Sequence, residues 1–274
     1  MQRVHAKKSL GQHFLKDLGI AQRIADTISA GPVLEIGPGM GVLTQFLLQK
    51  PAIQLTAIEL DSESVVYLTK RKQLSRFTED DTPWEKLNLI EGDFLKLDLN
   101  SIYPKGEFCV IGNYPYNISS QIFFKVLDYK DRIPVCSGMI QKEVAERIAS
   151  KPGKKDYGIL SVLLQVWYDI EYLFTVDEYV FAPPPKVKSA VVRLKRNARH
   201  TLDCDETLMK TVVKTAFNQR RKQLRNSLKS LVETRISGDK IKELLDQDIF
   251  TKRPEQLSVE EFINLTKMLE SWQK

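Results

Sequence analysis

Short apolar runs recur along the first two hundred residues, each closing on glycine, acid or asparagine. Val33-Leu-Glu-Ile36 leads into Gly37-Pro-Gly-Met-Gly41 and then a helically spaced stretch from about Val42 to Gln49, which predicts strand, turn and helix in succession. Leu55–Asp61 and Leu87–Ile90 read as two more strands, each followed closely by acids. Val110-Ile-Gly112 reads as a fourth strand and Pro134–Ile140 as a fifth, the latter followed by a helix over Lys142–Ile148. Lys151-Pro-Gly-Lys-Lys-Asp156 breaks the pattern as a charged loop. Tyr157–Gln165 looks helical, Trp167–Phe174 and Ser189–Lys195 look like late strands, and Phe181-Ala-Pro-Pro-Pro185 is a stiff connection between them. From Asp203 onward leucines fall at helical spacing, with Asp203, Ser237 and Ser258 as candidate N-caps. The pattern predicts an α/β protein: a doubly wound, Rossmann-like sheet over residues 1–198 and a small all-helical domain over 199–274, divided near Asn197–Thr201.

The strand ends carry the candidate chemistry. Gly37, Gly39 and Gly41 are spaced so that the dinucleotide fingerprint's third glycine would stand where Val42 does. Since that fingerprint seats a pyrophosphate on a helix N-terminus, a ligand without pyrophosphate is favoured. Glu59 stands about twenty residues on, where doubly wound folds place a carboxylate for ribose hydroxyls. Asp93, in Glu91-Gly-Asp-Phe94, is placed to accept from an adenine amine of a nucleoside cofactor. Asn113-Tyr-Pro-Tyr116 suits a second flat base with an exocyclic amine. The lone pair of such an amine is delocalised into its ring, so a catalyst needs acceptors for its protons and a surface to stack it. Asn113 and the carbonyl of Tyr114 are the acceptors, Tyr116 is the stacking ring, and Pro115 fixes the segment by its locked φ.

Charge adds a partner. The chain has 274 residues and a formal charge of +6. No acid precedes Asp17, whereas Arg3, Lys7, Lys8 and Lys16 do, and none lies between Glu206 and Glu233. Read as one helix at 100° per residue, Val213, Phe217, Leu224, Leu228 and Leu231 form an apolar stripe, with Lys214, Arg221 and Arg225 a quarter-turn away. Together with Lys222 these cations are the candidate RNA contacts. Cys109, Cys136 and Cys204 have no spacing that suggests zinc or a disulfide framework, and no metal site is expected. No run is apolar enough to span a membrane and no secretory segment is seen, so a cytoplasmic protein is expected.

Ser9-Leu-Gly-Gln-His-Phe-Leu15, Glu35-Ile-Gly-Pro-Gly39, Glu91-Gly-Asp-Phe94, Asn113-Tyr-Pro-Tyr116 and Phe181-Ala-Pro-Pro-Pro-Lys-Val-Lys-Ser189 resemble the ribosomal RNA adenine dimethyltransferases of the KsgA type, within the class I S-adenosylmethionine-dependent methyltransferases. The resemblance runs from about Ser9 to Leu228. It implies a cofactor, S-adenosyl-L-methionine, held at His13, Leu15, Gly37, Gly39, Glu59, Asp93 and Asn113, and a target adenine between Tyr116 and Phe181. It also implies dimethylation of two adjacent adenosines of small-subunit (16S) ribosomal RNA on a pre-ribosomal particle, and nothing in the sequence demands more than a monomer. Two positions depart from the family's pattern, which more often has Asn at His13 and Leu at Tyr114. The alternatives are a macrolide-resistance type methylase of large-subunit RNA and a non-catalytic RNA-binding assembly factor. Ala216–Leu228 favours the small-subunit family, while Glu59, Asp93 and Asn113 together argue against an idle fold.

Overall fold

The computed structural model describes residues 4–75, 81–238 and 240–272, so Arg3 lies outside the described residues. The chain forms two compact units, residues 1–145 with 169–196, and residues 146–168 with 197–274. One crossing falls two residues from the expected division at 198/199. Residues 146–168, expected in the first domain, belong instead to the helical unit.

In the first unit the elements run β1 (Phe14–Leu15), α1 (Leu18–Ala25), β2 (Gly31–Ile36), α2 (Thr44–Leu48), β3 (Ile53–Glu59), α3 (Ser62–Leu74), β4 (Asn88–Glu91), α4 (Leu99–Ile102), β5 (Cys109–Asn113), α5 (Ser119–Asp128) and β6 (Val135–Gln141). After α6 (Lys142–Ile148) and the excursion into the second unit come β7 (Tyr168–Val176), β8 (Phe181–Ala182) and β9 (Ser189–Arg196). Seven strands form one sheet in the order β4-β3-β2-β5-β6-β9-β7, while β1 pairs with β8 in a separate ribbon. The strands from β4 to β6 are parallel, with Val33 opposite Leu55 on one side and Cys109 on the other, and β9 runs antiparallel to β6. Parallel strands covered on both faces explain the nearly continuous apolar runs, such as Val110 and Ile111 in β5. The chain winds outward from β2 to β4 and then returns to lay β5 on β2's other edge. The carboxyl ends of β2 and β5 therefore flank a topological switch point, where open α/β sheets leave a crevice.

Local chemistry sets the boundaries. Residues 39–43 are taken up by the glycine turn, so α2 starts at Thr44 rather than Val42. The third strand stops at Glu59 because Asp61 N-caps α3, accepting from the backbone N–H of Glu63. Asp17 caps α1 through the N–H of Ile20 at 2.9 Å.

The second unit contains α7 (Ile159–Gln165), α8 (Glu206–Asn218), α9 (Leu224–Ser227), α10 (Lys229–Glu233), α11 (Lys240–Leu245) and α12 (Val259–Ser271). Tyr157, Phe217 and Phe262 meet in its core, with ring centroids 6.1 and 5.9 Å apart. The burial of Tyr157 against Phe217 is why residues 146–168 join this unit. The single helix read across 213–231 is broken: α8 ends at Asn218, and residues 219–223 form a turn. Asn218-Gln-Arg-Arg-Lys-Gln223 offers no apolar residue to bury, and the N–H of Leu224 bonds to the carbonyl of Lys252 at 2.8 Å. Val213, Phe217, Leu224 and Leu228 are still buried, and Leu231 partly so. Asp205, not Asp203, caps α8, whereas Ser258 caps α12 in a reciprocal box with Glu261. Ser237 lies three residues before the start of α11.

Candidate active site

A cavity of about 180 Å³ opens at the switch point, lined by Gly37, Gly39, Glu59, Leu60, Asp93 and Asn113 among others, and by residues 10–15. The glycine turn is shaped for close approach. Gly37, Gly39 and Gly41 all have positive φ, at 65°, 57° and 80°. A Cβ on Gly37 would meet nothing nearer than Pro115 Cδ at 4.0 Å, so the turn presents bare backbone to the Asn113–Tyr116 segment across open space. On Gly39 it would lie 3.1 Å from the Phe14 ring, and on Gly41 2.7 Å from Trp84. Gly41 is thus a packing glycine rather than a ligand contact.

Glu59 is tied to this turn. Its Oε2 accepts from the N–H of Gly39 at 2.9 Å and its Oε1 from that of Asp61 at 2.8 Å. Burial raises its pKa, against the pull of those backbone donors. Each oxygen keeps lone-pair capacity for a hydroxyl. Asp93 is partly buried, with Oδ1 accepting from the N–H of Leu95 at 2.9 Å.

Asn113 is oriented by its own donor: Nδ2 gives a hydrogen bond to the His13 carbonyl at 3.0 Å. Because only the NH2 can donate, Oδ1 is left as the acceptor on the opposite side. The backbone of Tyr114 is fixed by an N–H bond to Met139 O at 3.0 Å. Its ring is buried over Gly112 and Gly138, where an added Cβ would come within 3 Å of it, and its hydroxyl donates to Ser137 O at 2.7 Å. The tyrosine at this position therefore fills a space left by two glycines, and its side chain stays out of the cavity chemistry. Tyr116 is half-buried, stacked on His13 with centroids 5.3 Å apart, and its hydroxyl is bonded to Ser189 Oγ. His13 is held in turn by Pro183 O, 2.8 Å from Nδ1. Leu15 lines the cavity while its side chain belongs to the core.

Phe181 departs from expectation. It is 1% exposed, pairs with Leu15 across the β1–β8 ribbon, and belongs to the hydrophobic core. The ring paired with Tyr116 at the site is that of His13, not Phe181. Arg225 also departs: it is only partly exposed, with Nε enclosed and unpartnered. Lys214, Arg221 and Lys222 are exposed.

Three site residues were not singled out from sequence. Glu35 lines the cavity floor, fully buried, with Oε2 unpartnered, and burial pushes its carboxyl up to about 8 while the Thr44 hydroxyl works the other way. Asp61 anchors the N-terminal segment through Lys7 and through Gln12 Nε2 at 3.4 Å. Ser189 positions Tyr116. The alternation of β2 could have found Glu35, which points from a buried strand with no charged partner beside it in sequence.

This geometry has close counterparts among known proteins. The family model for ribosomal RNA adenine dimethylase matches residues 3–270. The chain belongs to the ribosomal RNA adenine dimethylase family. It is 64% identical to ribosomal RNA small subunit methyltransferase A of Parabacteroides distasonis over 97% of this chain and 94% of that one. It is 59% identical to the protein of the same name from Porphyromonas gingivalis, over 98% and 100%. Among solved structures it is similar to a dimethyladenosine transferase from Plasmodium falciparum, at TM-score 0.77 and 26% identity, covering 94% and 98% of the two chains. The 23S rRNA methyltransferase ErmE is also similar, at TM-score 0.63 and 26% identity, covering 92% of this chain and 99% of that one. The family matched is the one that the motifs resemble, and the mixed α/β fold is shared with these methyltransferases. No helix among the described residues is long and apolar enough to cross a membrane, and none of them forms a group that could hold a metal.

Proposed function

We propose that this chain transfers methyl groups from S-adenosylmethionine to the exocyclic N6 amines of two adjacent adenosines of 16S ribosomal RNA. The setting is a pre-ribosomal particle in the cytoplasm, with the enzyme acting as a monomer. The observation that carries this reading is the fixed orientation of Asn113, whose amide donates to His13 O and so faces its oxygen outward. The site's residues fit the cofactor: the open backbone at Gly37 admits a close-lying chain, Glu59 has lone pairs for ribose hydroxyls, and Asp93 can accept from an adenine amine. When bound, the cofactor supplies an electrophilic methyl on a sulfonium.

The protein's own task is alignment, which can lower a barrier by roughly 7–11 kcal/mol. Asn113 Oδ1 and the Tyr114 carbonyl accept hydrogen bonds from the two N–H groups of the target amine, turning its lone pair toward the donor, and the proton lost on methylation passes to solvent. Tyr116 stacks the extruded purine, worth about 1–3 kcal/mol for a stacked base. His13 already covers one side of the Tyr116 ring, with centroids 5.3 Å apart. The second methyl transfer uses the same acceptors with one proton remaining. Arg221, Lys222 and Lys214 hold RNA phosphates, with Arg225 a lesser contact. The large-subunit alternative has thinner support, since likeness to ErmE stands at 26% identity against 64% for a small-subunit relative.

Asn113→Ala is the direct test of the site. Methyl transfer should fall by a hundredfold or more in kcat while RNA affinity, measured by anisotropy, stays within about twofold. Equal loss of both would make Asn113 a structural residue.

A further inference from the structure

The second unit brings a charged loop to a place that its sequence position does not announce. Arg220 Nη2 donates to the carbonyl of Lys154 at 3.2 Å, and the N–H of Gly153 bonds to Glu255 O at 2.6 Å. Leu224 is tied to Lys252 in the same way. Three loops, 151–156, 219–223 and 252–255, are thereby knitted into one surface within this unit. Lys151, Lys154, Lys155, Arg221 and Lys222 all stand exposed on these loops. Their ammonium and guanidinium groups have no ion pair among the described residues. The acids in the loops are Asp156 and Glu255, and Glu255 has its Oε2 enclosed.

We propose that Lys151, Lys154 and Lys155 join Arg221 and Lys222 in a single phosphate-binding surface, which grips a paired segment of the substrate RNA through its backbone. This rests on the reading above, that the chain acts on ribosomal RNA. Charge complementarity favours phosphate, and the absence of bases from the contact follows from composition. None of the three loops carries an aromatic residue, so this surface offers no aromatic ring on which an unpaired base could stack. A surface of cations alone positions RNA without reading its sequence. The choice of adenine is left to Asn113 and Tyr116.

The test uses the full-length chain and two RNA probes, a hairpin bearing adjacent loop adenosines and a plain duplex of unrelated sequence. Affinities are measured across a salt series for wild type, the triple variant Lys151→Ala/Lys154→Ala/Lys155→Ala, and the double variant Arg221→Ala/Lys222→Ala. Each lost phosphate contact lowers the slope of log affinity against log salt by about 0.7–0.9, so the triple variant should lose roughly 2 from the slope on both probes. Its melting temperature and S-adenosylmethionine affinity should match wild type, and Lys→Arg replacement at the three positions should restore the slope. If the double variant loses slope and the triple does not, the loop is excluded while RNA binding by this unit stands. If neither loses slope, the assignment of RNA contacts to this unit falls as well. Loss confined to the hairpin would overturn the proposal by showing base readout, and binding of anionic lipid vesicles in preference to either RNA would assign the surface to a membrane.

Discussion

Asn113 and Glu35 show two ways in which one side chain can be prepared before any ligand arrives. Asn113 spends its donor on the His13 carbonyl, which costs little and leaves an oriented acceptor. Glu35 is held in a buried position with one oxygen unpartnered, and its carboxyl titrates near 8 rather than at the ordinary 4.5. A carboxyl whose pKa is raised by folding binds more protons in the native than in the unfolded state between those two values. Its contribution to stability is therefore full below about 4.5 and is lost as the pH rises through about 8. Glu35→Gln should flatten that part of the stability profile. In denaturation at pH 6 and pH 9, the wild-type protein should lose more stability than the variant over the interval; parallel losses would show that Glu35 is not the titrating group. At this scale the sequence was legible in placement: Glu59, Asp93 and Asn113, picked out at strand ends, all line the one cavity. It was not legible for Phe181, because an aromatic residue beside prolines serves equally as a stacking ring or as core. Only the β1–β8 register, which faces it to Leu15, puts the ring inside.

Glycines decide the geometry of the elements around the cavity. Gly37 and Gly39 bend the turn after β2, while Gly112 in β5 and Gly138 in β6 vacate the space that the Tyr114 ring fills. A Cβ on Gly112 would lie 2.7 Å from Ile36 O and 2.8 Å from the Tyr114 ring. Gly112→Ala should cost about 1–3 kcal/mol by overpacking. Since Asn113 is the next residue, methyl transfer should fall further than the loss of folded protein explains. Denaturant unfolding alongside activity at matched folded fraction checks this, and activity that tracks stability alone would remove the link. The strands of the parallel sheet were readable from apolar runs closing on glycine, acid or asparagine. The breaks were harder: Asp61 could belong to a strand or cap a helix, and the stripe from Val213 to Leu231 keeps its burial across a turn that interrupts the helix. Periodicity reports which residues are inside, and hydrogen bonding decides whether the backbone between them is helical.

On the scale of the whole molecule, the two units differ in surface chemistry. The first ends its parallel strands on a cavity walled by glycines, carboxylates and one oriented amide, and the second carries exposed cations over a closed apolar core. The helical second unit was foreseen, yet its inclusion of residues 146–168 was not, since a helix such as Ile159–Gln165 gives no sign in sequence of which core will receive it. The most direct measurement is mass mapping of adenosines after the purified protein is incubated with labelled S-adenosylmethionine and immature small subunits. The result expected is two adjacent N6-dimethylated adenosines in 16S RNA, absent with Asn113→Ala. Methylation found on large-subunit RNA alone, on a different atom, or at full level in the variant would contradict the assignment of this cavity to N6 dimethylation.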